Sequence, residues 1–195
     1  MEGKAMESSL IREIVTLPHP CLTKKAEPIA DTVSGLQEAI DVIRHLENAL
    51  HPHMPAAGLA APQIGISKQV FIFSWNRTSE PEAVINPSFE AVNDDMTQSW
   101  EGCFSTPLAM AQIPRYQMIL ATYTNRQGDR VTYRLSGFAA RAFQHEYDHL
   151  TGTITVHRKD AVIRHFKTQE ERQKFLAEIK KGDQADYRQP EKIEG

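Results

Sequence analysis

Cysteine is nearly absent: Cys21 and Cys103 are the only two among 195 residues. Two cysteines cannot build the disulfide framework of a small secreted domain, so stability has to come from a packed core, and a reducing compartment is expected. Long apolar runs are missing as well. None approaches the roughly 20 residues that a membrane span needs, and Met1 to Ser9 lacks the apolar centre of a signal peptide. No membrane association is expected, and the cytoplasm is the default location. Charge of one sign is also lacking. With 22 Lys and Arg against 25 Asp and Glu, the net charge of −3 is too small to draw the chain to nucleic acid or an anionic bilayer, so no specific nucleic-acid binding is expected. What remains, 41% hydrophobic and 24% charged residues, is the composition of a soluble globular protein long enough for one domain with a substantial core.

Histidine, by contrast, is placed with a pattern. In the stretch from Gln144 to Gly152, His145 and His149 stand four residues apart with Glu146 beside the first. On a helix that spacing puts both imidazoles on one face. Two neutral imidazoles aimed at one point pack poorly but ligate a divalent transition metal well, and a carboxylate next to a ligand can handle the protons of an activated water. Metal-assisted hydrolysis is the chemistry this pattern points to.

Along the chain, residues 1–10 are small and polar and read as a tail. Ile11 to Leu17 reads as an apolar strand or arm before the Pro18-His19-Pro20 turn. His19, His45, His51 and His53 are irregularly spaced, which favours solvent-facing or supporting roles over ligation. A capping box at Ser34 and Gln37 predicts a helix start, with Leu36, Ile40, Ile43, Leu46 and Leu50 as its apolar stripe and His51-Pro52 as its end. The run from Pro55 to Gly65 is made of small residues that let another backbone approach, such as a substrate along a strand edge, and Gln63 is its one long polar side chain. Val70 to Phe73 reads as a buried strand, and Ala83 to Ile85 as a second one stopped by Asn86-Pro87. Ile119 to Tyr123 and Val131 to Leu135 flank Asn125-Arg126-Gln127-Gly128-Asp129, a hairpin loop. Ser136 opens a helix through Phe138, Ala142, His145 and His149 that Gly152 closes. A last helix begins at the Thr168 to Glu171 capping box and carries Phe175, Leu176 and Ile179. The basic residues Arg164, Lys167, Arg172 and Lys174 read as its solvated face, and residues 182–195 read as a flexible tail.

The third metal ligand is not fixed by the histidine motif. The zinc-protease continuation His-x-x-Gly-x-x-His runs as far as Gly152 but meets Thr155 where its last histidine belongs. Glu170 and Glu171, downstream glutamates in position for another protease arrangement, already have a role in the first turn of a helix. Cys103, set in Trp100-Glu101-Gly102-Cys103-Phe104-Ser105, is the remaining candidate, a soft anionic donor from a separate loop.

Three segments together closely resemble the peptide deformylases: Ala56-Ala57-Gly58-Leu59-Ala60-Ala61-Pro62-Gln63, Glu101-Gly102-Cys103-Phe104-Ser105, and Gln144-His145-Glu146-Tyr147-Asp148-His149, in that order and with fitting separations. The resemblance covers roughly Ile11 to Lys181. It implies one divalent metal ion per chain, commonly Fe2+ with Zn2+, Ni2+ or Co2+ able to replace it, held by Cys103, His145 and His149. It implies a hydrolase of protein biosynthesis whose substrates are N-formylmethionyl peptides of newly made proteins, with formate released and the ribosome as a transient partner. Water with a lowered pKa would attack the formyl carbon. Gln63 and the backbone N–H of Phe104 would stabilise the oxyanion, and Glu146 would carry the proton to the departing amine. Gly58 would bind peptide backbone. Ala57, Phe104, Phe138 and Ala142 would line the methionine pocket, with Gln144 and Asp148 supporting the ligands.

Departures from the pattern bear on selectivity. Ala56 replaces a glycine, which costs about 1–2 kcal/mol only where the backbone has positive φ. Phe104 replaces leucine, and Met110 stands where many bacterial members have an arginine that contacts the peptide beyond methionine. A metalloprotease and a non-catalytic peptide-binding relative are the rival readings. Against the second, Gln63, Cys103, His145, Glu146 and His149 are all present. The expected architecture is one α+β domain over 11–181, with small antiparallel sheets around the metal-binding helix and a helical C-terminal end.

Overall fold

The computed structural model describes residues 12–180 and 186–193, so the expected tail over 1–10 lies outside the described residues. Among the described residues the strands form two antiparallel sheets. Gly58–Ala60 (β1), Val70–Phe73 (β2), Glu82–Ala91 (β3), Met118–Thr124 (β6), Arg130–Ser136 (β7) and Glu191–Lys192 (β9) make the larger one in the order β1-β2-β3-β6-β7-β9. Met96–Gly102 (β4), Ala109–Tyr116 (β5) and Val162–His165 (β8) make the smaller one in the order β4-β5-β8. Three α-helices, Val33–Leu50 (α1), Gly137–Leu150 (α2) and Gln169–Lys180 (α3), complete the α+β architecture.

The apolar run of β2 explains the layering. All four of its side chains are buried, which requires cover on both faces of the strand. Phe71 and Phe73 join the core under α2, whereas Val70 and Ile72 join the core under α1, the alternation a strand imposes. Phe143 of α2 is fully buried, with Phe71, Phe73 and Phe89 edge-on to it at 5.1, 5.7 and 6.3 Å. Residues two apart on a helix point about 200° from one another, so seating Phe143 against the large sheet turns His145 away from it.

Local details depart from the sequence expectation for physical reasons. The cap of α1 is Thr32, whose extended backbone lets its hydroxyl accept from the Gly35 N–H at 3.0 Å; Ser34 lies inside the helix. The second strand does not stop at Asn86-Pro87. β3 continues to Ala91 through a register shift between Ile85 and Ser88, with Asn86 at φ 48°. Asparagine tolerates that conformation, and its side chain brackets Ile29, accepting from its N–H and donating to its carbonyl, each at 2.8 Å. Pro114 sits within β5 rather than opening it, beyond the β8 pairing that ends at Gln112, where a missing N–H costs no ladder bond. Of the 182–195 segment only 186–193 lies within the described residues; Glu191–Lys192 pairs with β7 as β9, and the Phe138 N–H donates to Asp186 O at 3.0 Å.

Asn86 therefore ties the segment before α1 to the bulge of β3. Asn86→Ala removes both bonds to Ile29 and places a less tolerant residue at positive φ, so the unfolding free energy is expected to fall by about 2 kcal/mol. Urea titration followed by circular dichroism checks this through a lower midpoint at unchanged slope.

Candidate active site

The face of α2 that Phe143 turns away from the large sheet meets the hairpin of β4 and β5. Cys103 follows the last residue of β4, in a tight connection where the Thr106 N–H donates to Cys103 O at 3.1 Å. Cys103 Sγ lies 3.3 Å from His149 Nε2, and the ligand atoms of Cys103, His145 and His149 all fall within 4.8 Å of one another. All three residues are buried. The extended arm before Pro18 crosses nearby, with its Val15 N–H on Gln63 O at 2.8 Å and its Leu17 N–H on Ser105 O at 3.1 Å.

Behind this cluster stands an ionic network that the motifs do not announce. Buried Glu101 receives His145 Nδ1 at 2.8 Å, Arg115 in a two-point contact at 3.1 and 3.0 Å, and Arg141 at 2.7 Å. A carboxylate accepts only, so His145 carries its proton on Nδ1 and presents the Nε2 lone pair to the cluster. Arg115 also reaches Asp148 at 2.6 Å, which joins the hairpin to α2. Gln144 adds a second clamp, accepting from the Tyr116 N–H at 3.1 Å and donating to its carbonyl at 2.9 Å. Strand alternation was the available signal for Glu101, because a residue two before Cys103 shares its face.

Electrostatics follow from this packing. Burial alone would raise the Cys103 thiol, but His149 and His145 outweigh it and hold the thiol well below its ordinary value. Burial would likewise lower His145, yet Cys103 and Glu101 raise it well above the usual imidazole range. Glu101 is driven low because Arg115 and His145 overcome the cost of its burial. Glu146 differs. Burial is the largest influence on it and pushes it up to about 7 against the pull of His145 and His149. Its Oε2 is buried with no hydrogen-bond partner.

The other sequence candidates line the same cavity, about 250 Å³ in volume: Ala57, Gly58, Gln63, Phe104, Phe138 and Ala142. Gln63 accepts from the Ala60 N–H at 2.9 Å and donates to Cys103 Sγ at 3.4 Å and Ser105 Oγ at 3.3 Å. Gly58 belongs to β1, which pairs only with β2 and forms one edge of the large sheet. A Cβ there would stand 2.6 Å from Ile72 O and 2.8 Å from Glu146 Oε1, so only glycine lets Glu146 lie against this strand. Ala56 has no positive φ and carries no backbone strain. Thr155 is buried, Glu170 pairs with Lys174 at 2.9 Å on the surface, and Glu171 accepts from the Lys167 N–H at 2.8 Å, so none of the three joins the cluster. Arg172, read in the sequence as part of a solvated face, lines the cavity instead, because Phe175 packs against Trp100 at 5.1 Å and lays α3 across the hairpin.

The family model described as polypeptide deformylase matches residues 11–165. The peptide deformylase of Thermotoga sp. (strain RQ2) is 37% identical over 139 residues, covering 71% of this chain and 81% of the relative. That of Desulforudis audaxviator is 32% identical, with 78% and 96% covered. The crystal structure of peptide deformylase from Thermotoga maritima superposes with a TM-score of 0.67 at 34% identity over 76% of this chain and 97% of that one.

Removing Arg115 weakens the Glu101 network, in which Arg141 and His145 still reach Glu101 and Arg158 still reaches Asp148. Arg115→Met leaves Glu101 and Asp148 without their shared cation and is expected to lower the unfolding free energy by about 3–5 kcal/mol. The double variant Glu101→Gln with Arg115→Met removes charge from both sides and is expected to recover part of that loss. Guanidinium titration of both variants checks the order.

Proposed function

Because the chain belongs to the polypeptide deformylase family, we propose that it is a metal-dependent hydrolase that removes the formyl group from N-formylmethionyl peptides and releases formate. The observation that carries this reading is the buried Cys103, His145 and His149 triangle with the unpartnered Glu146 Oε2 beside it. These residues fit a divalent ion. A thiol held low and an imidazole fixed with one lone pair inward are donors that a cation satisfies in place of a proton. Mixed thiolate and imidazole donors accept Fe2+, Zn2+, Ni2+ or Co2+, and Fe2+ is proposed as the resident ion because the resemblance to the family implies it.

Bound there, a divalent ion supplies Lewis acidity, making water nucleophilic near neutral pH and drawing electron density from a carbonyl. The remaining steps fall to side chains and backbone. The peptide extends along the open edge of β1, with Gly58 offering backbone bonds, and the methionine side chain enters among Ala57, Phe104, Phe138 and Ala142. As the formyl carbon becomes tetrahedral, Gln63 Nε2 and the Phe104 N–H donate to its oxygen, each worth about 3 kcal/mol. Glu146 takes the proton of the attacking water and hands it to the departing nitrogen, a transfer suited to a carboxyl pushed up to about 7.

The catalytic domain is assigned to 11–181. Its place of action is the cytoplasm, where formylated chains leave the ribosome and a transient ribosomal contact brings substrate. Two free cysteines fit a reducing compartment, and among the described residues no helix is long and apolar enough to cross a membrane.

Anaerobically prepared Fe2+ or Ni2+ protein is expected to release formate from formyl-Met-Ala-Ser, and Glu146→Gln to lose about 10²–10⁴-fold in kcat while keeping its metal. Cys103→Ala is expected to lose the metal. Formate release by the wild type no greater than that of Glu146→Gln overturns the reading, and metal retained by Cys103→Ala together with cleavage of casein points to the protease alternative.

A further inference from the structure

α3 lies wholly beyond residue 165, where the family match ends, yet it supplies Arg172, Leu176 and Ile179 to the cavity beside the metal-ligand cluster. Leu176 and Ile179 extend its apolar wall. Arg172 does something different. Its Nε is buried without a hydrogen-bond partner, and among the described residues its guanidinium forms no salt bridge with a carboxylate, the Cys103 thiol being the one charge that acts on it. It lies over the bare backbone at the end of β4, where a Cβ on Gly102 would collide with Arg172 Nη2 and meet Met110 Cε at 3.9 Å. Burying donors without acceptors is costly, and such a group in a cavity calls for an acceptor from outside.

The carboxylates of the cavity do not serve. Glu101 is already engaged by Arg115, Arg141 and His145. Glu146 lies against Gly58 on β1, and its Oε2 has no partner. On the rim, Arg77 has a buried Nε with no hydrogen-bond partner, and its guanidinium stands 4.7 Å over the Phe138 ring. A peptide filling this cavity therefore meets an open strand edge, an apolar wall and a guanidinium whose donors are unspent, a setting that favours a carboxylate over a neutral amide.

We propose that Arg172 is a specificity-determining residue that receives a substrate carboxylate, so that the preferred substrates are N-formylmethionyl peptides bearing an acidic side chain one or two residues after the methionine. The proposal rests on the deformylase reading and names the substrate class for it. The test compares formyl-Met-Leu-Glu-amide with formyl-Met-Leu-Gln-amide, and formyl-Met-Glu-Leu-amide with formyl-Met-Gln-Leu-amide, on the metal-loaded enzyme. In at least one pair the acidic member is expected to have a kcat/KM about tenfold higher, through KM. R172Q is expected to bring that ratio near one, and R172K to keep part of it. A ratio near one in the wild type, or a ratio that survives R172Q, overturns the role of Arg172. Competition supplies a readout that needs neither turnover of the acidic peptide itself nor a folded variant. Met-Leu-Glu-amide or Met-Glu-Leu-amide is expected to inhibit the wild type about tenfold better than its glutamine counterpart, with the gap closing at high salt; equal inhibition in both pairs overturns the proposal. Formate release from none of the four peptides overturns the deformylase reading itself, whereas equal release within each pair overturns only the assignment to Arg172.

Discussion

A single buried carboxylate holds the ligand geometry together. Glu101 sits near the end of β4, two residues before Cys103, and accepts from His145 of α2 at 2.8 Å. One side chain thereby couples the strand that delivers the thiolate to the helix that delivers the imidazoles. An isolated carboxylate at that depth would cost several kcal/mol, and the charge is tolerable because Arg115 meets it at two points and Arg141 at a third. Arg115 then reaches Asp148 one turn along the same helix, so rotation or sliding of α2 against the hairpin breaks an ion pair as well as a metal ligand. The Glu101 network thereby fixes the orientation of His145 in the candidate ligand cluster.

The carboxyl proposed to carry the proton, Glu146, lives in the opposite environment. Glu101 is saturated with cations and stays ionised, whereas Glu146 is buried with one oxygen lacking any partner and is pushed up to about 7. Two carboxyls close to one cluster are thereby assigned different work by their surroundings. The edge strand enforces the difference. Glu146 fits against β1 only because Gly58 has no Cβ, and that small residue leaves the backbone beside it open for a peptide. Substrate contact and proton transfer share one steric requirement.

The candidate ligand cluster, whose three residues the fold brings together, was legible because its signals are local. His145 and His149 repeat at a helical interval, and Cys103 remained once Thr155 broke one protease pattern and Glu170 and Glu171 were occupied at a helix start. Val70 to Phe73 was equally plain, since four consecutive apolar residues bounded by polar ones are too short for a buried helix and fit a strand covered on both faces. The partners of Glu101 were hidden because pairing is a property of the fold: Arg115 is 14 residues away and Arg141 is 40, and no spacing rule links them. β3 runs through Asn86-Pro87 because the Asn86 amide brackets Ile29, 57 residues upstream, and compensates a local breaker with a distant bond. Arg172 departs from its expected place for a related reason. A charged residue on an amphipathic helix normally faces solvent, but here Phe175 and Phe166 anchor α3 over the small sheet, and the residue three before Phe175 is carried into the cavity.

The proposed chemistry and the proposed preference for an acidic side chain therefore rest on different parts of the chain. Every group proposed for bond breaking lies between Gln63 and His149, inside the matched segment, and His145 among the proposed ligands is held by Glu101. The wall formed by Arg172, Leu176 and Ile179 lies outside that segment and is held by the Met110, Phe166 and Phe175 cluster with Trp100 packed on it. Changes in that second cluster move the wall without touching a ligand, since none of its members contributes to the Cys103, His145 and His149 triangle. Buried Met110 ties the two together. It sits opposite Gly102 in the β4 and β5 pairing, Gly102 being next to Cys103, and its Cε also reaches the space where Arg172 lies. A methionine there supplies shape without charge.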